Sequence, residues 1–215
     1  MMKACVFDLD GTLINSLEDL AVSVNWALER NGLKPYPVED YKYFVGDGIY
    51  VLIDRVIPKQ LQTDELKAKI KADFDLHYDS HNGDHTVIYD GIEEMLAELK
   101  ARGIKLGVIS NKPDEFATEI VHERFPGMFD LVMGLSDRFP RKPDPSALQY
   151  MLETFGVKPE ETLYAGDTNV DVRTGKNGGA TTIGVMWGFR TLEELTEAGA
   201  DHIIYHPQEL LPFAE

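Results

Sequence analysis

Cysteine is nearly absent from this 215-residue chain. Cys5 stands alone, so no intrachain disulfide framework is possible. Basic residues are scarce: 21 Lys and Arg face 37 Asp and Glu, a formal net charge of −16. That balance excludes nucleic acid as the expected partner, because a phosphate backbone needs a basic footprint, and it disfavours an anionic membrane surface. Long apolar runs are missing too; none approaches the roughly 20 residues of a membrane helix. The opening Met1-Met2-Lys3-Ala4-Cys5-Val6-Phe7 has no signal-peptide plan, which makes a cytoplasmic protein the expectation. There is no low-complexity tract and no internal repeat. What the chain does have is 43% hydrophobic residues, enough to build a core.

Those residues come in short apolar runs separated by amphipathic stretches. Ala4–Phe7, 104–109, 131–133, 162–165, 181–185 and 202–205 are strand-sized and lack strict alternation, the pattern of strands buried on both faces. Between them, Ile92, Met95, Leu96 and Leu99 share a helical face closed by Gly103, and a helix from Pro145 to Phe155 stops at Gly156. Strand and helix alternating at this spacing predict an α/β fold with a doubly wound parallel sheet. Residues 15–85 break the rhythm. They carry helical patterns at 17–30, 38–44, 49–57 and 64–78 and no strand candidate, so they read as an all-helical insert between residues 1–14 and 86–215. The insert holds 8 basic and 13 acidic residues, a net −5, which leaves −11 on the α/β part.

In a doubly wound sheet, ligands bind beyond the carboxyl ends of the strands. Those ends carry Asp8 and Asp10, Ser110 and Asn111, and Asp167 with Asp171; Lys142 lies in the loop Arg141-Lys142-Pro143-Asp144-Pro145. Four carboxylates and one lysine brought together total −3, which is costly without a cation. The donors are all oxygen, so Mg²⁺ is the expected cofactor. A carboxylate can attack phosphorus, and Asp8 ends its strand where a turn can fix it in line with a phosphoryl group. Asp10, two residues on, can protonate the departing alcohol and then deprotonate the hydrolytic water. The backbone N–H groups of residues 10–12, with Ser110 and Lys142, are expected to hold phosphoryl oxygens.

These residues resemble a known family, the haloacid dehalogenase-type phosphatases. Asp8-Leu9-Asp10-Gly11-Thr12-Leu13 is similar to its DxDGT signature, Ser110 to its second motif, Lys142 to its third, and Gly166-Asp167-Thr168-Asn169-Val170-Asp171 to its fourth. The resemblance implies a Rossmann-like core with a helical cap. It implies that Asp8 is the nucleophile and a Mg²⁺ ligand, and that Asp10 is the acid/base and a metal contact through its carbonyl. Asp167 becomes the second carboxylate ligand, and Asp171 acts from one layer out. Thr12, Ser110, Asn111 and Lys142 bind phosphate. Phe44-Val45-Gly46-Asp47-Gly48 resembles the Gly-x-Gly cap loop of phosphoglycolate phosphatases, which implies that Gly46, Asp47 and Gly48 meet substrate. The implied reaction is hydrolysis of a small phosphorylated metabolite, 2-phosphoglycolate first. A sugar-phosphate phosphatase, a pyrophosphatase, a phosphosugar mutase or a non-catalytic phosphate-sensing module are the alternatives. Thr174 to Gly179 is glycine-rich where relatives favour alanine, a loss of about 1 kcal/mol per interior glycine.

Other features read as structural. His77, His81 and His85 have helical spacing, but Asn82-Gly83 should end that helix, so they read as solvated or capping side chains. Gly175-Lys176-Asn177 lacks the upstream glycine and the Ser/Thr of a phosphate-binding P-loop. Cys5 reads as buried packing.

Overall fold

Four-residue apolar runs such as Ala4-Cys5-Val6-Phe7 can satisfy their backbone only by pairing on both edges, and their side chains only by burial on both faces. The computed structural model, which describes residues 1–215, does both. All four residues of β1 (Ala4–Phe7) are buried. The strand pairs in parallel with β4 (Lys105–Pro113) on one side and with β6 (Thr162–Gly166) on the other. With β5 (Leu131–Leu135), β7 (Thr181–Val185) and β8 (His202–Ile204), they form a six-stranded parallel sheet in the order β5-β4-β1-β6-β7-β8. Counting only these six, the order is 3-2-1-4-5-6, with the switch point between β1 and β6.

The strands' period of two sends alternate side chains to two cores. Cys5, Phe7, Leu106, Val108, Leu163 and Ala165 pack with α5 (Ile92–Ala101) and α6 (Asp114–Arg124). Ala4, Val6, Ile109, Met133 and Tyr164 pack with α7 (Ser146–Phe155) through Leu148, Met151 and Leu152. Each buried Leu or Met contributes about 1.5–3 kcal/mol relative to exposure. α8 (Asn169–Gly178) and α9 (Leu192–Glu197) complete the α/β part. The glycines of α8 do more than weaken a helix. A Cβ on Gly175 would lie 2.5 Å from Thr182 Cγ2 and 3.0 Å from Tyr164 Cβ, so the bare backbone lets α8 sit close against the sheet.

The chain divides into two compact units, residues 1–14 with 88–215, and residues 15–87. Short strands at the crossings, β2 (Ile14–Asn15) and β3 (Val87–Ile88), form a separate two-stranded ladder. The second unit is built from α1 (Leu17–Arg30), α2 (Tyr41–Phe44), α3 (Ile49–Val56) and α4 (Asp64–His81). The 38–44 helical pattern resolves into a 3₁₀ turn at Val38–Asp40 followed by α2. Thr63 caps α4 by accepting from Leu66 N–H at 3.1 Å, and the helix runs one turn past the predicted end at residue 78, to His81 before Asn82-Gly83. Asp19 of α1 is buried and accepts from His85 N–H, Thr86 N–H and Thr86 Oγ1 at 2.8, 2.9 and 2.6 Å, fixing the segment that leaves α4. The three histidines are engaged separately: His77 Nδ1 with Ser23 Oγ at 3.0 Å, His81 Nδ1 with Asp84 at 2.7 Å, and His85 with Glu18 at 3.8 Å. No helix is long and apolar enough to cross a membrane.

Candidate active site

Register decides which polar residues meet. Phe7 is level with Val108 of β4 and Ala165 of β6, so the next residues of all three strands emerge together at the carboxyl edge. Asp8 N–H still donates to Ala165 O at 3.0 Å, which holds its side chain at the sheet's end. Asp167 follows β6, and Asp171 lies in the first turn of α8. Carboxylate oxygens of Asp8, Asp167 and Asp171 all lie within 4.8 Å of one another, and all three residues are buried.

Lys142 is the cation inside this group. Its ammonium donates to Asp8 Oδ1 at 2.7 Å, Asp171 Oδ1 at 2.7 Å and Ile109 O at 3.0 Å, which uses all three of its N–H bonds. Burial alone would lower the Lys142 pKa, but Asp171 and Asp8 outweigh it and keep the lysine charged. Asp8 shifts well above the carboxylate range. Burial is the main cause, Asp171 and Asp167 add to it, and Lys142 only partly compensates. Asp167 rises to about 7 through burial and then Asp171, against the hydrogen bonds from Phe189 N–H at 2.8 Å and Thr12 Oγ1 at 3.1 Å. A buried all-oxygen cluster in which Asp171 pushes up both Asp8 and Asp167 is short of positive charge, and its donors suit a hard divalent cation. Asp171 is the member most fully engaged: Oδ1 faces Lys142, and Oδ2 accepts from Thr168 N–H and Thr168 Oγ1 at 3.0 and 2.6 Å. Asp8 and Asp167 are therefore the side chains better placed to hold a cation.

The remaining predicted residues have partners of their own. Ser110 is buried at the end of β4, its Oγ accepting from Lys112 N–H at 3.1 Å. Neither Ser110 nor Asn111 caps α6, because β4 runs on to Pro113 and that proline is the N-cap. Asn111 takes Lys142 N–H on its Oδ1 at 2.9 Å and aims its Nδ2 at Lys142 O at 3.5 Å, so its side chain grips the lysine's backbone. Thr12 is buried with its hydroxyl on Asp167. The expectation for the 10–12 turn needs correction: Gly11 N–H donates to Ile14 O at 2.8 Å and Thr12 N–H to Leu9 O at 3.3 Å, so these two amides close the turn itself. Gly46, Asp47 and Gly48 belong to the other unit, in the turn between α2 and α3. There both glycines have positive φ, 108° and 86°, and Asp47 pairs with Arg55 at 2.6 Å.

Three contributors were not singled out from sequence. Lys112 is the first: its side chain is only 4% exposed, and its ammonium lies 3.0 Å from Asp10 Oδ1. Thr168 is the second, and its signal was available, because Thr168-x-x-Asp171 has capping-box spacing. The third is the segment after β7, where Trp187 Nε1 donates to Thr12 O at 2.9 Å and Phe189 N–H to Asp167. Gly11, at φ 92°, has no room for a side chain: a Cβ would lie 2.3 Å from Asp167 Oδ2.

A family model described as haloacid dehalogenase-like hydrolase matches residues 5–185. A phosphoglycolate phosphatase of Aquifex aeolicus (strain VF5) is 31% identical over 211 residues, 98% of this chain and 95% of that protein. Among solved structures, one from Lactobacillus delbrueckii subsp. bulgaricus superposes with a TM-score of 0.94 at 31% identity, covering 99% of this chain and 98% of the other. A predicted phosphoglycolate phosphatase from Haemophilus somnus 129PT superposes at 0.92 with 28% identity, covering 100% and 98%.

Proposed function

The chain belongs to the haloacid dehalogenase-like hydrolase family and is a phosphatase, and from that premise we propose that it hydrolyses a small phosphomonoester, 2-phosphoglycolate first, through a phosphorylated Asp8. The observation that carries the reading is the Asp8 carboxylate at the switch point, 2.7 Å from the Lys142 ammonium and clustered with Asp167 and Asp171. The substrate assignment draws on the phosphoglycolate phosphatases among its relatives.

In this reading an Asp8 oxygen attacks phosphorus, forming an O–P bond as the ester P–O bond breaks. The electron pair leaves with the alcohol oxygen, which takes a proton from Asp10. Asp10, now a carboxylate, takes a proton from the water that attacks phosphorus, the Asp8–phosphorus bond breaks and phosphate leaves. Lys142 holds Asp8 in place and faces the phosphoryl oxygens with Ser110. Asp171 holds Lys142 by its ammonium and Asn111 holds it by its backbone, while Thr12 acts on Asp167. Asp8 and Asp167, with the Asp10 carbonyl, would hold Mg²⁺, which supplies neutralisation of the site's excess negative charge. The partners are the small phosphorylated metabolite and this cation, with neither nucleic acid nor membrane; the net charge of −16 supports that, and the single buried cysteine suits a cytoplasmic enzyme.

The test is a Mg²⁺-supplemented screen of phosphorylated metabolites scored by kcat/KM. The expected result is a maximum at 2-phosphoglycolate and reversible loss of turnover in excess EDTA. A maximum at a sugar phosphate or at pyrophosphate reassigns the substrate, and full activity in EDTA removes the cation.

A further inference from the structure

We propose that Lys112 receives a second anionic group of the substrate, so that the preferred phosphomonoesters carry a carboxylate close to the ester oxygen. The proposal rests on the reading of Asp10 as the acid that meets the leaving oxygen. Lys112 lies two residues beyond Ser110 on β4, and its side chain is only 4% exposed. Burying an ammonium is costly, and Asp10, at 3.0 Å, is an acidic partner that offsets the cost. A group that protonates the leaving oxygen must come within hydrogen-bond reach of it. A leaving oxygen that meets Asp10 Oδ1, the atom Lys112 faces, lies within about two hydrogen-bond lengths, roughly 6 Å, of the Lys112 ammonium. A carboxylate separated from the ester oxygen by one carbon covers about half of this span. What remains is close to a single charge-assisted hydrogen bond.

Electrostatics selects the same residue. Lys142 already directs its three N–H bonds at Asp8, Asp171 and Ile109 O, so the phosphoryl side of the site has its own cation in full use. With Asp10 protonated as the acid that meets the leaving oxygen, Asp8, Asp167 and Asp171 against Lys142 and Lys112 leave the group at −1. One divalent cation is offset by the phosphoryl group that enters with it, and a further carboxylate is then admitted only where a positive charge faces it directly. On the leaving-group side, Lys112 is that charge. A neutral leaving group gains no charge-assisted contact from it.

The test compares 2-phosphoglycolate with 2-hydroxyethyl phosphate, which has a neutral leaving group of similar size, in the wild type, Lys112→Met and Lys112→Arg. A lost charge-assisted hydrogen bond corresponds to about 10- to 100-fold. The expected result is that Lys112→Met loses that much more kcat/KM on 2-phosphoglycolate than on 2-hydroxyethyl phosphate. The difference should lie mainly in KM, and Lys112→Arg should restore part of it. Binding of 2-phosphoglycolate to Asp8→Asn protein, measured by calorimetry with and without Lys112→Met, reads the same contact without turnover and should weaken by the same factor. Equal losses on the two substrates, or unchanged binding in the Asp8→Asn background, overturn the assignment of Lys112 while the hydrolase reading stands. Turnover of neither substrate by the wild type overturns the 2-phosphoglycolate reading and this proposal with it.

Discussion

Asp19, in the unit formed by residues 15–87, and Asp167, in the α/β unit, are both almost fully buried, at 2% and 0% exposure. Asp19 meets three donors from the chain, two backbone N–H groups and a threonine hydroxyl, and no neighbouring carboxylate shares them. Asp167 meets one N–H and one hydroxyl, and Asp8 and Asp171 crowd it. The first arrangement is complete as it stands and ties two chain segments together. The second is completed only by something from outside. A buried carboxylate thus declares its role by its company: donors alone mean architecture, and other carboxylates mean a site for positive charge.

The comparison breaks first at Asp8. Asp8→Asn should lower kcat by at least about 10³-fold, because removing the attacking group removes the chemical step. The same change deletes a crowded negative charge, so the metal-free variant should melt no lower than the wild type at pH 8. A variant with wild-type turnover of p-nitrophenyl phosphate would show that Asp8 is not the attacking group. Asp19→Ala should behave in the opposite way. It leaves buried N–H groups unsatisfied and should cost about 2–4 kcal/mol in urea unfolding, with turnover per folded molecule retained. Loss of turnover without loss of stability would place Asp19 with the site instead.

Titration sharpens the contrast. Asp167, raised to about 7, and Asp8, also raised, bind protons more tightly folded than unfolded. The metal-free protein should therefore lose stability as pH rises from 5 to 8. In Asp130 and Asp201, burial is outweighed by hydrogen bonds from Lys105 and Leu106 N–H, and from Lys176 and Thr182. Those groups are ionised in both states across this window and weaken the fold only in acid, below about pH 4. Mg²⁺ should raise Tm more at pH 8 than at pH 5, and Asp167→Asn should flatten that difference. An equal rise at both pH values would contradict the crowding.

The smallest expected effect is at Gly175. Alanine gains about 1 kcal/mol of helix propensity there. Its Cβ would sit 2.5 Å from Thr182 Cγ2, and the overpacking should cost about 1–3 kcal/mol. Net destabilisation in thermal melts is the expected outcome; net stabilisation would mean that α8 can move off the sheet.

Much of this was legible in the sequence because strands buried on both faces leave uninterrupted apolar runs, and because Asp8, Asp167 and Asp171 sit at strand and helix ends where local pattern is strong. The helical segments of residues 15–87 were likewise marked by their periodicity. Residue partners were less legible. Ser110 and Asn111 read from sequence as phosphate binders, and only the fold shows that Asn111 grips the Lys142 backbone. Lys112 had no periodic or motif signal, since its pairing with Asp10 arises from two adjacent parallel strands more than 90 residues apart in sequence. Thr12 and Thr168 likewise acquire their partners only when Asp167 and Asp171 are brought to them in three dimensions.

The central claim is that the crowded carboxylate at residue 8 carries the phosphoryl group. Intact-protein and peptide mass spectrometry after acid quench of turnover with Mg²⁺ and 2-phosphoglycolate tests it directly. The account predicts an adduct of one phosphoryl group on the peptide containing Asp8, formed during turnover and absent from Asp8→Asn. Sustained hydrolysis by the wild type with no adduct on that peptide, together with undiminished hydrolysis by Asp8→Asn, would contradict it.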